Sequence, residues 1–195
     1  MTDFLMQQAL GADWHKLPRL IQKHYEVSSD EDTCLEGTMT IAYPNFMLPM
    51  IWLIHQFGGL ILRRDTDVHT RVQKSANATG KILNWHRTLT YRDGKVDYFR
   101  SQMAGLGEQE LTETIGYGFG LRLKVEVCNG DLVYRSNGHY WQCGRLHLTI
   151  PDWLMLGSAT ISEHALSESK FYLNFTINHP VWGETYSYRG TFRDC

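Results

Sequence analysis

A mainly β fold (α+β), built as a curved antiparallel meander or barrel of about nine strands, follows from three features of the sequence. Apolar and polar residues alternate along much of the chain from Val68 onward. Short turn sequences separate the alternating runs. The long uncharged stretch that precedes them is too broken to be a membrane span. The expected architecture is lipocalin-like or START-like, with an N-terminal helix and one apolar helix after the first strand, all in one domain over residues 1–195.

In chain order, Phe4 to Tyr25 reads as helical, because Trp14, Leu17, Ile21 and Tyr25 recur at the three- and four-residue spacing of one helix face. Pro18 belongs near a first turn, where its missing N–H costs nothing. Ser28 to Thr33 is acidic and polar and reads as a surface loop, and Leu35 to Tyr43 as the first strand. Ile41 to Leu62 carries no Lys, Arg, Asp or Glu. A spanning helix needs about 20 apolar residues, but Pro44 and Pro49 each remove a backbone donor and Gly58-Gly59 weaken the rest. The stretch is therefore read as a short apolar helix, Met47 to Phe57, forming a lid over a cavity, with no transmembrane span.

The strands follow. Phe119, Leu121, Leu123, Val125 and Val127 alternate with polar residues or glycine, as do Phe171, Leu173, Phe175 and Ile177, and Leu146, Leu148 and Ile150. A sheet with one dry face and one wet face demands this period of two. Arg92-Asp93-Gly94, Asn129-Gly130 and Asn137-Gly138 are read as the turns between strands. Trp153 to Leu156, after Pro151, is read as one helical turn. Glu184 to Phe192 reads as a strand, where a START-like fold would place its closing helix, so a barrel-like sheet is favoured.

Composition excludes several function classes. With 43% hydrophobic and 21% charged residues the chain is of globular type, and a net charge of -2 with no basic stripe argues against a nucleic-acid partner. The first residues carry Asp3 and no basic run, so no secretory signal is read and a cytoplasmic location is expected. Cys34, Cys128, Cys143 and Cys195 form no CxxC pair and are read as free thiols, with a Cys128–Cys143 bridge as the minor alternative. The nine histidines show no metal-binding spacing, and no nucleophile elbow or nucleotide loop is present, so neither a metal site nor a cofactor is expected. Gly116 to Gly120 is read as a bulged or kinked strand.

Charges that share strand parity with apolar residues give the candidate site. Arg87 falls in phase with Leu83, Trp85 and Leu89; Arg100 with Val96 and Tyr98; Glu113 with Leu111 and Ile115; Glu163 with Ile161 and Ala165. If these faces point inward, the charges pair with one another or meet a wet cavity, since a lone buried charge is costly. The expected ligand-contact residues are Trp85, Arg87, Tyr98, Arg100, Glu113 and Phe119, with Ile51 and Trp52 from the lid beside Met47 and Ile54. Leu111 adds to the wall. The expected function is binding of an apolar or amphipathic small molecule. Two alternatives stay open: an enzyme using Glu113 or Glu163 as acid or base, and an accessory module whose apolar helix docks on a reductase or a membrane surface. Internal salt bridges that only fix strand register would give the same pattern.

Several of the same residues carry a family resemblance. They are Leu17-Pro18, Glu36-Gly37, Phe57-Gly58-Gly59, Trp85-x-Arg87, Phe99-x-Ser101, Leu111 to Gly116, Pro180 and Tyr188-x-Gly190. The chain resembles a bacterial family of unknown function, domain of unknown function 4166, over nearly its whole length. The resemblance implies one compact domain with no established activity or cofactor. Members fused to saccharopine-dehydrogenase-like or epimerase-like domains imply a separate reductase-like partner for this chain. Arg87 and Glu113 lie in the family motifs.

Overall fold

The computed structural model describes residues 4–28 and 32–195. The alternation in the sequence becomes eleven antiparallel strands: β1 (Thr33–Ala42), β2 (Asp65–Ala76), β3 (Ile82–Thr90), β4 (Val96–Gly107), β5 (Glu110–Thr114), β6 (Phe119–Cys128), β7 (Asp131–Cys143), β8 (Leu146–Ile150), β9 (Ser158–Ala165), β10 (Phe171–His179) and β11 (Gly183–Asp194). Their spatial order is β6-β5-β4-β3-β2-β1-β11-β10-β9-β7-β8, and a β6–β7 pairing closes the sheet on itself. Ten strands thus form a closed barrel, and β8 hangs from β7 outside the ring. Closure leaves the barrel strands no free edge, which answers the exposure problem of an open sheet.

Inward and outward residues alternate as the pattern requires. In β2, Val68, Thr70, Val72 and Lys74 are buried while Asp67, His69, Arg71 and Gln73 are exposed. Fully buried Leu83, Leu89, Leu111, Val125, Leu132 and Tyr186 come from strands right round the barrel. Each contributes about 1.5–3 kcal/mol of burial.

The two ends of the barrel differ. Three helices flank it: α1 (Leu5–Leu10), α2 (Arg19–Tyr25) and α3 (Leu48–Gln56). The first two plug the lower end, the end of the β2–β3, β4–β5 and β6–β7 hairpins. There the Gln109 amide donates to Ala9 O at 2.8 Å, and Lys23 pairs with Asp194 at 2.5 Å. Helix α3, between β1 and β2, lies across the upper end with the β5–β6 turn, the segment joining β7 to β9, and the β10–β11 turn.

Several expectations change. The N-terminal helix is interrupted: Gly11, at φ +54°, ends α1, a 3-10 stretch spans Gly11–Lys16, and Pro18 sits at the N-cap of α2. The expected burial of Trp14, Leu17, Ile21 and Tyr25 nonetheless holds. The loop expected over Ser28 to Thr33 lies partly on 29–31, outside the described residues, and Thr33 already opens β1. There are eleven strands where about nine were expected. Asn137-Gly138 is not a turn: it lies inside β7, where the pairing jumps from Leu123↔Ser136 to Leu121↔His139. The strand bulges there with Gly138 at φ +95°. Beyond the bulge β7 leaves β9 and picks up β8.

The reading of four free thiols is corrected as well. Cys34 and Cys195 form a disulfide with Cα atoms 5.5 Å apart, and Cys128 and Cys143 are free. The pairing of β1 with β11, in register at Leu35↔Asp194, brings the two cysteines together. Their separation of 161 residues gave no local signal.

Candidate functional site: two cavities inside the barrel

Beneath α3 lies a chamber of about 280 Å³. The helix faces it with Met50, Leu53, Ile54 and Phe57, an i, i+3, i+4, i+7 stripe that puts four side chains on one face. Phe119, Leu121, Phe175 and Ile177 are among the wall residues. The lining is almost wholly apolar; Glu113, His139 and tyrosines 140, 186 and 188 supply its polar groups.

A charged network borders the chamber below. Register brings Arg87 opposite Phe99, Trp85 opposite Ser101, and Met103 opposite Glu113, so the inward residues of three adjacent strands meet. Arg87 Nη1 donates to Ser101 Oγ at 3.0 Å, and Ser101 Oγ donates to Glu113 Oε1 at 2.6 Å. Arg87 Nη2 stands 3.6 Å from the same carboxylate oxygen. The guanidinium also lies over the Phe99 and Trp85 rings, at 5.0 and 5.3 Å from their centroids. Both charges are thereby compensated within the wall.

Deeper still, a second cavity of about 50 Å³ is lined by His24, Tyr25, Trp85, Tyr134 and Glu163 among others. Helix α2 supplies His24 and Tyr25 from its last turn; β3, β7 and β9 supply the rest. Tyr134 donates to the Tyr25 hydroxyl at 2.6 Å, and Tyr25 donates to Glu163 Oε1 at 2.7 Å. Lys74 donates to the carbonyl of His24 and lies 3.1 Å from its Nδ1. His24, Lys74 and Glu163 are each no more than 3% exposed. Burial pushes the Glu163 carboxyl up to about 7, against the Tyr25 hydrogen bond and the Lys74 and Arg87 charges. Burial likewise brings the Lys74 ammonium down to about 8. His24 is held well below its usual range, first by burial and then by the Lys74 charge. Its Nε2 is 3.9 Å from Glu163 Oε2, too far for a hydrogen bond, and a neutral imidazole makes no ion pair there.

The structure brings Trp85, Arg87, Glu113 and Phe119 to the interior, and Glu163 with them. It does not bring in the others. Tyr98 and Arg100 do share a face with Val96, but β4 presents that face to solvent. Tyr98 pairs with the outward Thr88 and Arg100 with the outward His86, whereas Phe99, Ser101 and Met103 oppose the inward residues of β3. Trp52 is 53% exposed on the outer side of α3, and Ile51 is fully buried but does not line the chamber. Sequence reasoning missed Lys74, Tyr134, Ser101 and the His24–Tyr25 pair as site residues. Lys74 was legible, since it continues the Val68, Thr70, Val72 parity. His24 and Tyr25 were hidden by their place on an apolar helix face. Among the described residues no cluster of three or more His, Cys, Asp or Glu is placed to hold a metal ion. No described helix is long and apolar enough to cross a membrane.

The fold and its interior define an antiparallel β-barrel with an apolar chamber above a buried polar cluster. More particularly, the sequence profile of DUF4166, a domain of unknown function, matches residues 17–192, and the chain belongs to that family. No curated protein matches the chain. A crystal structure of a protein of unknown function from the DUF3598 family of Nostoc punctiforme PCC 73102 is similar at 9% identity, covering 95% of this chain and 100% of that one. Its TM-score of 0.22 is too low to bear on fold or function.

Proposed function

We propose that the barrel binds an apolar or amphipathic small molecule in the upper chamber, beneath α3. The observation that carries this reading is the chamber itself: about 280 Å³ inside a closed sheet, with apolar walls and a few polar groups among them. That is close to the lower bound of about 300 Å³ for small-molecule pockets, and the lining is of the usual kind. A purely structural core would be expected to fill such a volume with side chains, since interiors pack to crystal-like density. Arg87 and Glu113 orient a polar end of the ligand at the border between the two cavities. Because they neutralise each other, they suit an uncharged dipolar group better than an anionic one.

The test is native mass spectrometry of protein purified from cells, with solvent extraction of whatever is released. A stoichiometric apolar ligand is expected, and Leu121→Trp, which fills the chamber from β6, should lose it. No co-purified ligand, together with no binding of fatty acids, fatty alcohols or alkanes, defeats the reading.

A second reading has one observation in its favour. A buried carboxyl whose pKa is about 7, as at Glu163, is suited to give or take a proton at neutral pH. Turnover of a bound ligand that disappears in Glu163→Gln would establish it.

A further inference from the structure

Three buried polar atoms of the lower cavity have no hydrogen-bond partner among the described residues: His24 Nε2, Trp85 Nε1 and Glu163 Oε2. Their chemistry is fixed by what surrounds them. The Lys74 ammonium can only donate, so His24 Nδ1, 3.1 Å away, accepts, and the imidazole proton sits on Nε2. His24 Nε2 and Trp85 Nε1 are therefore both donors. Glu163 Oε1 already accepts from Tyr25, which leaves Oε2 a free acceptor when the carboxyl is ionised, the form that prevails above about pH 7. These two donors and one acceptor belong to residues that line a space of about 50 Å³, and small rotations of their side chains would present them to it. One water needs only about 10–15 Å³, so a larger group fits. Leaving such atoms unmade costs about 1–3 kcal/mol each, and an occupant that pairs with all three removes that cost.

A hydroxyl oxygen matches this set: it accepts two hydrogen bonds and donates one. A ketone offers nothing to Glu163, a carboxylate would face its charge, and an ammonium would meet Lys74. We propose that the lower cavity is a subsite for the neutral hydroxyl of an aliphatic alcohol whose apolar part occupies the upper chamber. This rests on the ligand-binding reading above. Ile61, Glu113 and Tyr188 line both cavities, so the chain of such an alcohol passes between those three side chains to reach it.

The test measures equilibrium binding of decanol and of methyl octyl ketone at pH 8, where Glu163 is ionised, to the whole protein and to two variants. In Glu163→Gln the amide oxygen still accepts from Tyr25, and an amide N–H replaces the acceptor at the cavity. The dissociation-constant ratio of decanol to ketone should then rise by about tenfold or more. Trp85→Phe removes a donor that serves either probe, so both should weaken by roughly three- to tenfold. If both probes bind but the ratio moves less than about twofold in Glu163→Gln, the cavity holds a resident water only and the subsite is overturned, while the barrel reading stands. If neither probe binds the unmodified protein, both readings fall. Should Glu163→Gln not fold, unchanged affinities in Trp85→Phe overturn the subsite by themselves.

Discussion

Replacing Glu163 by Gln should change how stability depends on pH, and the structure sets the size of the change. The folded carboxyl titrates at about 7 against an ordinary value of 4.5, because burial disfavours its charged form. At 1.36 kcal/mol per pKa unit, this corresponds to about 3 kcal/mol. A raised folded pKa favours the folded state fully below the ordinary value and less as pH rises through the folded one. The loss therefore falls between pH 4.5 and about 7. Lys74 does not confuse this window: its folded pKa of about 8 lies below 10.5, so its contribution is lost as pH falls from 10.5 through 8. The amide of the variant cannot ionise and keeps an acceptor for Tyr25. Urea unfolding followed by tryptophan fluorescence would give a variant-minus-native difference curve across the same pH range. It should climb by roughly 3 kcal/mol towards neutrality and level off above it. A difference curve flat to within about 1 kcal/mol over that range would refute the claim that burial governs this carboxyl.

Further predictions concern the other features of the barrel. Arg87→Ala should destabilise by roughly 1–3 kcal/mol by leaving Glu113 without its partner, and a double-mutant cycle with Glu113→Leu should recover part of the loss; simple additivity would show that the pair is not coupled. Reducing the Cys34–Cys195 bond, which closes a loop of 161 residues, should cost about 5 kcal/mol on the chain-entropy account and at least about 2 kcal/mol in practice, read from the urea midpoint. On α3, Ile51→Ala should cost about 2–5 kcal/mol, while exposed Trp52→Ser should stay within about 0.5 kcal/mol. Equal effects would contradict the helix orientation.

The barrel was legible because a one-sided sheet leaves a period of two in its residues, and β6 and β10 show it almost without interruption. The interior charges were legible for the same reason: Arg87, Glu113 and Glu163 interrupt apolar parity, and all three point inward. Parity groups residues on one face but does not say which face is dry. In β4, Val96, Tyr98 and Arg100 looked apolar enough to be the inner set, yet their cross-strand partners in β3 put them outside. Register between strands is a tertiary property, and it also decided the fate of Cys34 and Cys195. Asn137-Gly138 misled for a different reason. The dipeptide supplies the positive φ that a bulge needs as readily as the one a hairpin turn needs. The lower cluster escaped because it joins a helix terminus to strands far away in sequence, and no local window contains both Tyr25 and Glu163.

The ring of strands is fastened unevenly. At β1–β11 eight residue pairs in register are backed by the Cys34–Cys195 bond, so that junction is riveted. At β7–β9 the ladder has only four pairs, Leu132↔Glu163 to Arg135↔Thr160, because the bulge swings the rest of β7 towards β8. Side chains take over there as a clasp. Ser136 Oγ accepts from the Ala159 amide at 2.8 Å and donates to Asp152 at 2.6 Å, while His139 holds the other oxygen of Asp152 at 2.9 Å. His139 and Ala159 also line the upper chamber, so the seam with the shortest ladder is a wall of the space a ligand would enter.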